Sequence, residues 1–324
     1  MAKNETDVLI IGGGPAGLSA AVNLARSLHT VVVFDSGKYR NALLPHLHGA
    51  VGWDHENPSS VRAQMQKDLL ARYDTTTIVP AAVATVARTE NGGKVRFVVT
   101  DAEGEVWTGR KLVLATGVSD VLPANVPGYE SCWVNGIFHC LTSQGFEERD
   151  SESAGVLGIG DCAAVFACAR LSRQARQLAR QVRIFTDGNA ELAAQLKAGP
   201  GILTSESPSV SLEERKIVRL EKVPDKTSSV IVHLEDGTAL TEGFLVHKPK
   251  MQVNGDFHKQ LGLETFTFGH EIIKVSPPFH ETSIKGVFAI GDCASAQKVF
   301  VHALSMGSFA CAGLAAQLQM EVEA

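Results

Sequence analysis

The chain has 324 residues, of which 44% are hydrophobic and 20% charged, with a formal net charge of −5 at pH 7. This length allows two globular domains, and the mild negative charge argues against a nucleic-acid partner. Six cysteines in a chain of this size do not form a disulfide scaffold, so we expect a reducing, cytoplasmic location. The polar start lacks the layout of a signal peptide, and no later apolar run predicts a membrane span.

The first predicted elements are a buried strand, a glycine-rich turn, a helix and a second strand. The turn has the G-x-G-x-x-G spacing, and the second strand, "TVVVFD", ends at Asp35. In such a unit the glycines bring the backbone close to a pyrophosphate, and an acid accepts hydrogen bonds from a ribose. The order therefore predicts a dinucleotide site at Gly12, Gly14, Pro15, Ala16, Gly17 and Asp35.

Two later strands lead into further glycine segments. "KLVLATG" ends at Ala115, Thr116 and Gly117, and "GVFAIGD" ends at Gly291 and Asp292. Together with the first turn, these segments resemble the FAD domain of flavoprotein disulfide reductases. The resemblance implies that Asp292 lies beside the ribityl chain and pyrophosphate of FAD. It also implies a discontinuous FAD domain, residues 1–123 and 248–324, interrupted by a second domain at 124–247.

The inserted segment repeats the strand, glycine and helix order with Gly158, Gly160 and Ala163. It resembles the nicotinamide-nucleotide domain of thioredoxin-reductase-like proteins, so the predicted fold is α/β with two Rossmann-like domains. NADPH-using domains place arginines after the second strand, because a 2′-phosphate needs charged bidentate donors. Here that strand ends in "IFTDGN", where Asp187 would repel a phosphate. We expect no NADPH binding; weak NADH binding stays open, and a vestigial domain is the favoured interpretation.

A cysteine precedes the second strand–glycine unit in "FHCLTSQGFE". Low-molecular-weight thioredoxin reductases carry Cys-x-x-Cys at this place, but here Ser143 follows Cys140 at the second position. Gln144 stands where relatives have a histidine or an acid. The segments "YRNALLPHLHG", "GWDHENP", "VPGYESCW" and "IFHCLTSQGFE" are similar to fungal dithiol oxidases that close disulfides in epidithiodiketopiperazines, and to bacterial relatives. The likeness covers essentially the whole chain, and residues 40–54 are its most specific part.

This resemblance implies further residues around FAD: Arg40, Asn41, His48, Asp54, His302 and Ala303. In those oxidases the first cysteine handles the substrate sulfur, the second passes electrons to the flavin, and oxygen reoxidises it. A serine can neither form the disulfide nor relay electrons. His139 is expected to lower the pKa of Cys140, and His302 to stabilise reduced flavin and move protons. His46 and His48 are interpreted as pocket-shaping residues, and no metal site is expected.

The predicted function is that of an FAD-dependent, oxygen-using oxidoreductase that acts on a sulfur-containing fungal metabolite, with Cys140, His139, Ser143 and His302 in the catalytic site. The family implies a homodimer. Two alternatives stay open: an FAD oxidase or cyclase with a non-thiol substrate, and a redox-silent flavoprotein that binds a metabolite. Two further alternatives concern single residues: Cys140 is an inert buried thiol, and His302 is a helix-capping or packing residue. The sequence also leaves open whether Ser143 is native or an engineered replacement. Cys162 and Cys168, six residues apart in one predicted helix, are interpreted as packing residues with Cys132 and Cys311, and Cys293 stays ambiguous.

Overall fold

The computed structural model describes residues 5–199, 209–224 and 228–323. The chain forms two compact units, one of Met1–Ser119 with Met251–Ala324 and one of Asp120–Lys250. The resemblance implied that the two borders lie after residues 123 and 247. The structure places them a few residues away, because two short strands that pair with each other, β7 (Val118–Val121) and β16 (Lys250–Val253), carry the chain across.

The first unit begins with the predicted strand, turn and helix and continues through a mixed sheet. Its first segment contains β1 Glu5–Ile11, α1 Pro15–Arg26, β2 Val31–Phe34, α2 Pro58–Arg72, β3 Thr76–Val79, β4 Val83–Asn91, β5 Lys94–Asp101 and β6 Val106–Leu114. After the second unit the chain adds α7 Phe257–Leu261, β17 Thr265–Thr267, β18 Glu271–Ile273, β19 Val287–Ala289 and α8 Phe300–Glu323.

The main sheet of this unit has the order β3-β2-β1-β6-β5-β4, and β19 also pairs with β6. Strands β1, β2, β3 and β19 run parallel to their neighbours, whereas β4 and β5 form an antiparallel hairpin. β2 is the apolar run "VVVF", buried along its length, as expected for a strand covered on both faces. The parallel strands end at one edge of the sheet, and each predicted glycine or acidic segment follows such an end.

Helix α8 packs along α1 within the first unit. Gly307 allows the close approach, because a Cβ there would lie 2.4 Å from the carbonyl oxygen of Ala16. Ser19 of α1 also donates a hydrogen bond of 2.7 Å to the carbonyl of Leu304. Within the described residues, Phe300–Glu321 is long and apolar enough to span a membrane, with mean hydropathy 1.3, but half of that stretch is buried in the fold. This pattern is typical of a core helix.

The second unit is a smaller α/β domain with a separate antiparallel meander. Its elements are α3 Tyr129–Cys132, β8 Ile137–Phe138, α4 Leu141–Gln144, β9 Ser151–Leu157, α5 Val165–Ala175, β10 Ala179–Phe185, α6 Ala190–Ala198, β11 Val210–Glu213, β12 Ile217–Lys222, β13 Val230–Leu234, β14 Ala239–Glu242 and β15 Phe244–Val246. The order β11-β10-β9-β15-β8 is a parallel sheet, and β12-β13-β14 is the meander.

One predicted helix of the second unit begins later than the sequence indicated. Cys162 ends a short 3-10 turn, Gly160–Cys162, and α5 begins only at Val165. The prediction that Cys162 and Cys168 share one helix was therefore wrong. The reason is local: Gly160 takes a φ of +52°, which turns the chain before the helix can start.

Candidate active site

The glycine turn after β1 is built for close backbone contacts. Gly12 has a φ of +116°, and a Cβ there would lie 2.2 Å from the carbonyl oxygen of Ala115. A Cβ on Gly17 would lie 2.0 Å from the carbonyl oxygen of Gly12. Gly14 differs, because no atom lies within 4 Å of its added Cβ. The open space at Gly14, next to the first turn of α1 with its unpaired amides, fits the pyrophosphate of a dinucleotide.

Asp35 follows β2 and has a buried carboxylate with several donors around it. Its Oδ1 accepts a bond of 3.0 Å from the amide of Gly37, and its Oδ2 accepts from the Tyr39 hydroxyl at 2.5 Å and from Gln66 at 2.9 Å. Burial and, after it, the hydrogen bond and charge of Asp35 raise the pKa of Tyr39 to about 12. The Tyr39 hydroxyl therefore keeps its proton and stays a hydrogen-bond donor. A carboxylate has about four acceptor positions, so Asp35 keeps some capacity toward a ribose.

Arg40 and Asp292, far apart in sequence, meet in the first unit. Nη1 of Arg40 lies 3.3 Å from Oδ2 of Asp292, and both side chains are mostly buried. Its Nη2 contacts the sulfur of Met251 at 3.4 Å. The structure thus joins two of the predicted FAD residues in one ion pair, at the edge where the parallel strands end.

Asn41, another predicted FAD residue, is hydrogen-bonded to a second arginine of the first unit. Its Oδ1 accepts a bond of 3.0 Å from Nη1 of Arg62, a buried residue that sequence reasoning missed. The guanidinium carbon of Arg62 lies 3.6 Å from the centre of the Tyr39 ring. Arg62 therefore connects Asn41 to the Tyr39–Asp35 hydrogen bond.

The loop with the histidines folds onto itself. The rings of His46 and His55 stack with centroids 4.0 Å apart, and His48 lies 5.2 Å from His55. Asp54 accepts a bond of 2.7 Å from the amide of Gly49, and its Oδ1 is 3.8 Å from Nδ1 of His48. His48 and Asp54 are thus neighbours within one loop, and a direct contact of either with FAD remains a prediction.

The Ala115–Gly117 segment is held by a residue that sequence reasoning missed. The side-chain amide of Asn254 donates to the carbonyl of Thr116 at 2.9 Å, and its backbone amide donates to the carbonyl of Gly117 at 3.1 Å. The Ser119 hydroxyl donates to Oδ1 of Asn254 at 2.7 Å. Gly117 has a φ of +68°, which explains the glycine.

Gly291 brings the two ends of the first unit together. With a φ of +73°, it lies where an added Cβ would be 2.9 Å from the Cβ of Ala16 and 4.0 Å from that of Ala303. The predicted cofactor residues at the start of α1, after β19 and in α8 therefore form one small-residue contact.

His302 lies in the first turn of α8. Its Nε2 is 3.1 Å from the hydroxyl of Ser295. A second histidine, His280, lies near His302. Burial and then the charge of His302 hold the pKa of His280 below its ordinary value. Lys298 donates a bond of 2.6 Å to the carbonyl of Asp292, which ties the approach to α8 to the Arg40–Asp292 pair. A hydrogen bond thus holds His302 in the first turn of α8, and its role beside the flavin remains a prediction.

In the second unit, Cys140 immediately precedes α4. The Ser143 hydroxyl donates a hydrogen bond to the Cys140 sulfur over 3.4 Å. Burial acts to raise the pKa of Cys140, but the Ser143 hydroxyl, the amides of Ser143 and Thr142, and the charge of Lys248 outweigh it. The net result is a pKa below the ordinary thiol value. Sequence reasoning assigned this effect to His139 and missed Lys248.

The His139 ring lies against an aromatic cluster. Its centroid is 5.8 Å from that of Trp133, and the Trp133 ring stacks on Tyr129 at 5.9 Å. The Tyr129 hydroxyl lies 2.7 Å from Nδ1 of His247, whose Nε2 lies 3.1 Å from the carbonyl of Ile159. Because a carbonyl only accepts, Nε2 carries the proton and Tyr129 donates to Nδ1. His139 is thus a packing neighbour of this cluster.

The other five cysteines differ from Cys140 in burial. Cys140 is partly exposed, whereas the remaining thiols are buried. Burial raises the pKa of each of them: Cys132, Cys162, Cys168, Cys293 and Cys311. A buried thiol with a raised pKa is a poor nucleophile. Cys293, which the sequence left ambiguous, donates weakly to the carbonyls of Leu114 and Ile290 and is a core residue.

In the second glycine turn, backbone amides are hydrogen-bonded within the turn itself. The amides of Cys162, Ala163 and Ala164 donate to carbonyls of the same turn, at 2.9, 3.0 and 2.8 Å. Asp187 accepts a bond of 2.8 Å from the amide of Ile217. These contacts give a physical reason for the prediction of a vestigial nucleotide site.

A discontinuous unit with an open glycine turn and a second α/β unit with one partly exposed thiol define a two-domain flavoprotein oxidoreductase of the thioredoxin-reductase type. Residues 6–307 match the family described as pyridine nucleotide-disulphide oxidoreductase, and the chain belongs to this family. Its members bind FAD, and the first glycine turn, the Arg40–Asp292 pair and Gly291 fit that cofactor. The chain is an FAD-dependent oxidoreductase.

Several known proteins are similar along the whole chain. The protein named thioredoxin reductase aclD from Aspergillus oryzae is 45% identical over 100% of both chains. Thioredoxin reductase sirT from Leptosphaeria maculans is 41% identical over 95% of this chain and 93% of its own. The crystal structure of HlmI superposes with a TM-score of 0.84 at 29% identity, covering 99% of this chain and 95% of that one. The predicted fold class and the resemblance to fungal thioredoxin-reductase-like flavoproteins are confirmed.

Proposed function

We propose that this flavoprotein oxidises paired thiols of a sulfur-containing small molecule to a disulfide and uses molecular oxygen as the final electron acceptor. One observation carries the proposal: among the six cysteines, Cys140 alone combines partial exposure with a lowered pKa. A thiol of this kind is a nucleophile toward sulfur, whereas a structural cysteine is buried and inert.

The reaction balances without a nicotinamide nucleotide. A dithiol and one O2 give a disulfide and one H2O2, so two electrons and two protons leave the substrate. Bound FAD supplies the acceptor for the two electrons, which oxygen then removes. In this scheme the Cys140 thiol and one substrate thiol form a mixed disulfide, and the two electrons and two protons lost in this step are those that bound FAD would accept. The second substrate thiolate then displaces the Cys140 sulfur and closes the product disulfide.

Ser143 separates this activity from the reduction of thioredoxin. Reduction of thioredoxin by dithiol exchange needs two cysteines that cycle between thiol and disulfide. Cys140 has Ser143 as its neighbour, and this serine donates a hydrogen bond where a second cysteine would exchange electrons. The closed second glycine turn and the occupied Asp187 also favour a substrate, rather than NADPH, as the source of electrons.

The test is anaerobic mixing of the FAD-loaded protein with a small dithiol, followed by flavin absorbance near 450 nm. We expect bleaching that depends on Cys140 and is reversed by air. Cys140→Ala should bleach at least about tenfold more slowly, whereas Cys311→Ala is a control because that thiol is buried. Bleaching of equal rate in Cys140→Ala would contradict the role of Cys140. No bleaching with any dithiol would favour a non-thiol substrate or a redox-silent protein.

We also propose a homodimer formed by the first unit. From Phe300 to Met320, α8 carries no Asp, Glu, Lys or Arg. Its outer face exposes Val301, Phe309 and Met320, which are 43%, 52% and 59% accessible. A charge-free apolar helix face suits association with a second copy of the same surface. Light scattering should give twice the chain mass, and Phe309→Glu should lower it to the monomer mass.

A further inference from the structure

We propose that Lys248 is a positioning residue for the Cys140 sulfur: its ammonium group, in the segment that follows β15, stabilises the Cys140 thiolate. The catalytic use of this thiolate rests on the proposed function. Its stabilisation by Lys248 does not, because that needs no substrate. Sequence patterns gave no indication of it, since more than a hundred residues separate Lys248 from Cys140.

The strand register brings the two residues side by side. β15 pairs in parallel with β8, with Leu245 opposite Ile137 and Val246 opposite Phe138. The ladder continues by one step, because the amide of His247 donates to the carbonyl of Phe138 at 3.1 Å. Continuing the same register places Lys248 opposite Cys140.

Alternation along the strands places both side chains on one face. His139 and His247 point to the same side, because His139 contacts Trp133, Trp133 stacks on Tyr129, and Tyr129 bonds His247. Successive side chains of extended segments point to opposite faces. The following residues, Cys140 and Lys248, therefore lie together on the other face.

Burial agrees with this arrangement. His247 is buried, whereas Lys248 is exposed and Cys140 is partly exposed. The backbone of Lys248 is also anchored, since the Cys162 thiol donates to its carbonyl over 3.5 Å. A cation that is fixed at its backbone and shares a face with a thiol favours the thiolate form. The direction of the Cys140 pKa, with Lys248 among the groups that lower it, supports the geometry.

Other titratable groups near Cys140 have different partners. The His139 ring lies against Trp133, and His247 is bonded to Tyr129 and to the carbonyl of Ile159. On the following 3-10 turn, Phe146–Glu148, Glu148 accepts a hydrogen bond from Ser228, and Glu147 is a second acid. Lys248 supplies the positive charge that offsets such an acid.

The test measures the rate of Cys140 alkylation by iodoacetamide between pH 5 and 10 in the FAD-loaded protein. We expect Lys248→Met to shift the rate profile to higher pH and to slow alkylation about threefold or more at pH 7. Lys248→Arg should keep the wild-type profile. Lys250→Met is the matched control, because it removes the same charge two residues away; Cys140→Ala gives the background of the buried thiols.

A profile of Lys248→Met that superimposes on the wild type would overturn the inference. If that variant does not fold, as judged by retained flavin and circular dichroism, the wild-type protein gives a second test. Added salt screens an exposed ammonium, so its alkylation profile should move to higher pH between low and high salt; an unmoved profile would overturn the inference as well. Because alkylation requires neither dithiol nor oxygen, this result is independent of whether dithiols bleach the flavin.

Discussion

Ser143 lies one helical turn after Cys140, and its hydroxyl donates a hydrogen bond to the cysteine sulfur over 3.4 Å. The sequence indicates this serine only as the loss of a redox partner. In the structure it has a role of its own, because a hydroxyl donor beside a sulfur favours the charged form. In place of a second cysteine that could exchange electrons, the site has a hydroxyl donor that lowers the pKa of Cys140.

Removal of the Ser143 hydroxyl should weaken that thiolate. We expect Ser143→Ala to raise the pKa of Cys140, so that alkylation at pH 7 slows while the rate at pH 10 is unchanged. The measurement is the pH profile of iodoacetamide labelling, with Ser131→Ala as a control because Ser131 bonds the carbonyl of Gly128 instead. An equal loss of rate at every pH would indicate a structural change in place of a lost donor.

Restoring a second cysteine should restore dithiol behaviour. Ser143→Cys creates a Cys-x-x-Cys pair, and we expect it to close into a disulfide under mild oxidant because the Ser143 oxygen already lies 3.4 Å from the Cys140 sulfur. A thiol titration in denaturant should then find two fewer free thiols than in the reduced variant. Wild-type protein treated in the same way should keep all its thiols, since its other cysteines are buried.

The Arg40–Asp292 pair should control cofactor affinity. Asp292→Ala removes the partner of Arg40, and we expect the Kd for FAD to rise about tenfold or more, because Arg40 loses the carboxylate that holds it and the ribityl hydroxyls of FAD would lose an acceptor. Titration of FAD into the apoprotein measures this. Asp68→Ala, which removes an exposed ion pair with Arg72, should leave the Kd unchanged. Equal FAD affinity in both variants would mean that Asp292 does not contribute to the FAD site.

Two glycines of the first turn should respond differently to the same added methyl group. Gly17→Ala forces a Cβ to within 2.0 Å of the carbonyl oxygen of Gly12, so we expect a loss of about 2–4 kcal/mol in unfolding free energy. Gly14→Ala meets no atom within 4 Å, so stability should hold while FAD binding falls. Urea unfolding and FAD titration separate the two effects. Full FAD affinity in Gly14→Ala would mean that the cofactor does not approach this position.

His247 should make the second unit sensitive to mild acid. Burial lowers the pKa of His247 from 6.5 to about 4. Between these values the unfolded chain binds a proton and the folded chain does not, so stability falls as the pH drops from 6.5 toward 4. The loss is about 3 kcal/mol at most and does not grow below pH 4. Thermal melting at pH 7 and pH 5 should show a smaller decrease in His247→Gln than in the wild type. An identical decrease in both would assign the acid sensitivity to other groups.

Local patterns in the sequence were sufficient for much of the fold. The first glycine turn, its flanking strand and helix, and the late Gly291–Asp292 segment follow from short-range rules, because tight turns and parallel strands restrict which residues can occupy them. The sequence could also place Cys140 and Ser143 together, since three residues separate them. The sequence also shows the acid at Asp187. It does not show that the backbone amide of Ile217, thirty residues later, donates a hydrogen bond to this carboxylate.

The remaining features depend on contacts between distant segments. Arg40 meets Asp292, Asn254 holds the Thr116–Gly117 backbone, and Lys248 faces Cys140 only because β8 and β15 are neighbours in one sheet. No periodicity records such a pairing, since strand order and register are set when separate segments pack into a common core. The sequence by itself determined the family, the cofactor and Cys140 as the candidate thiol; the tertiary structure decided which groups surround its sulfur, because charge and hydrogen bonds act through space and not along the chain.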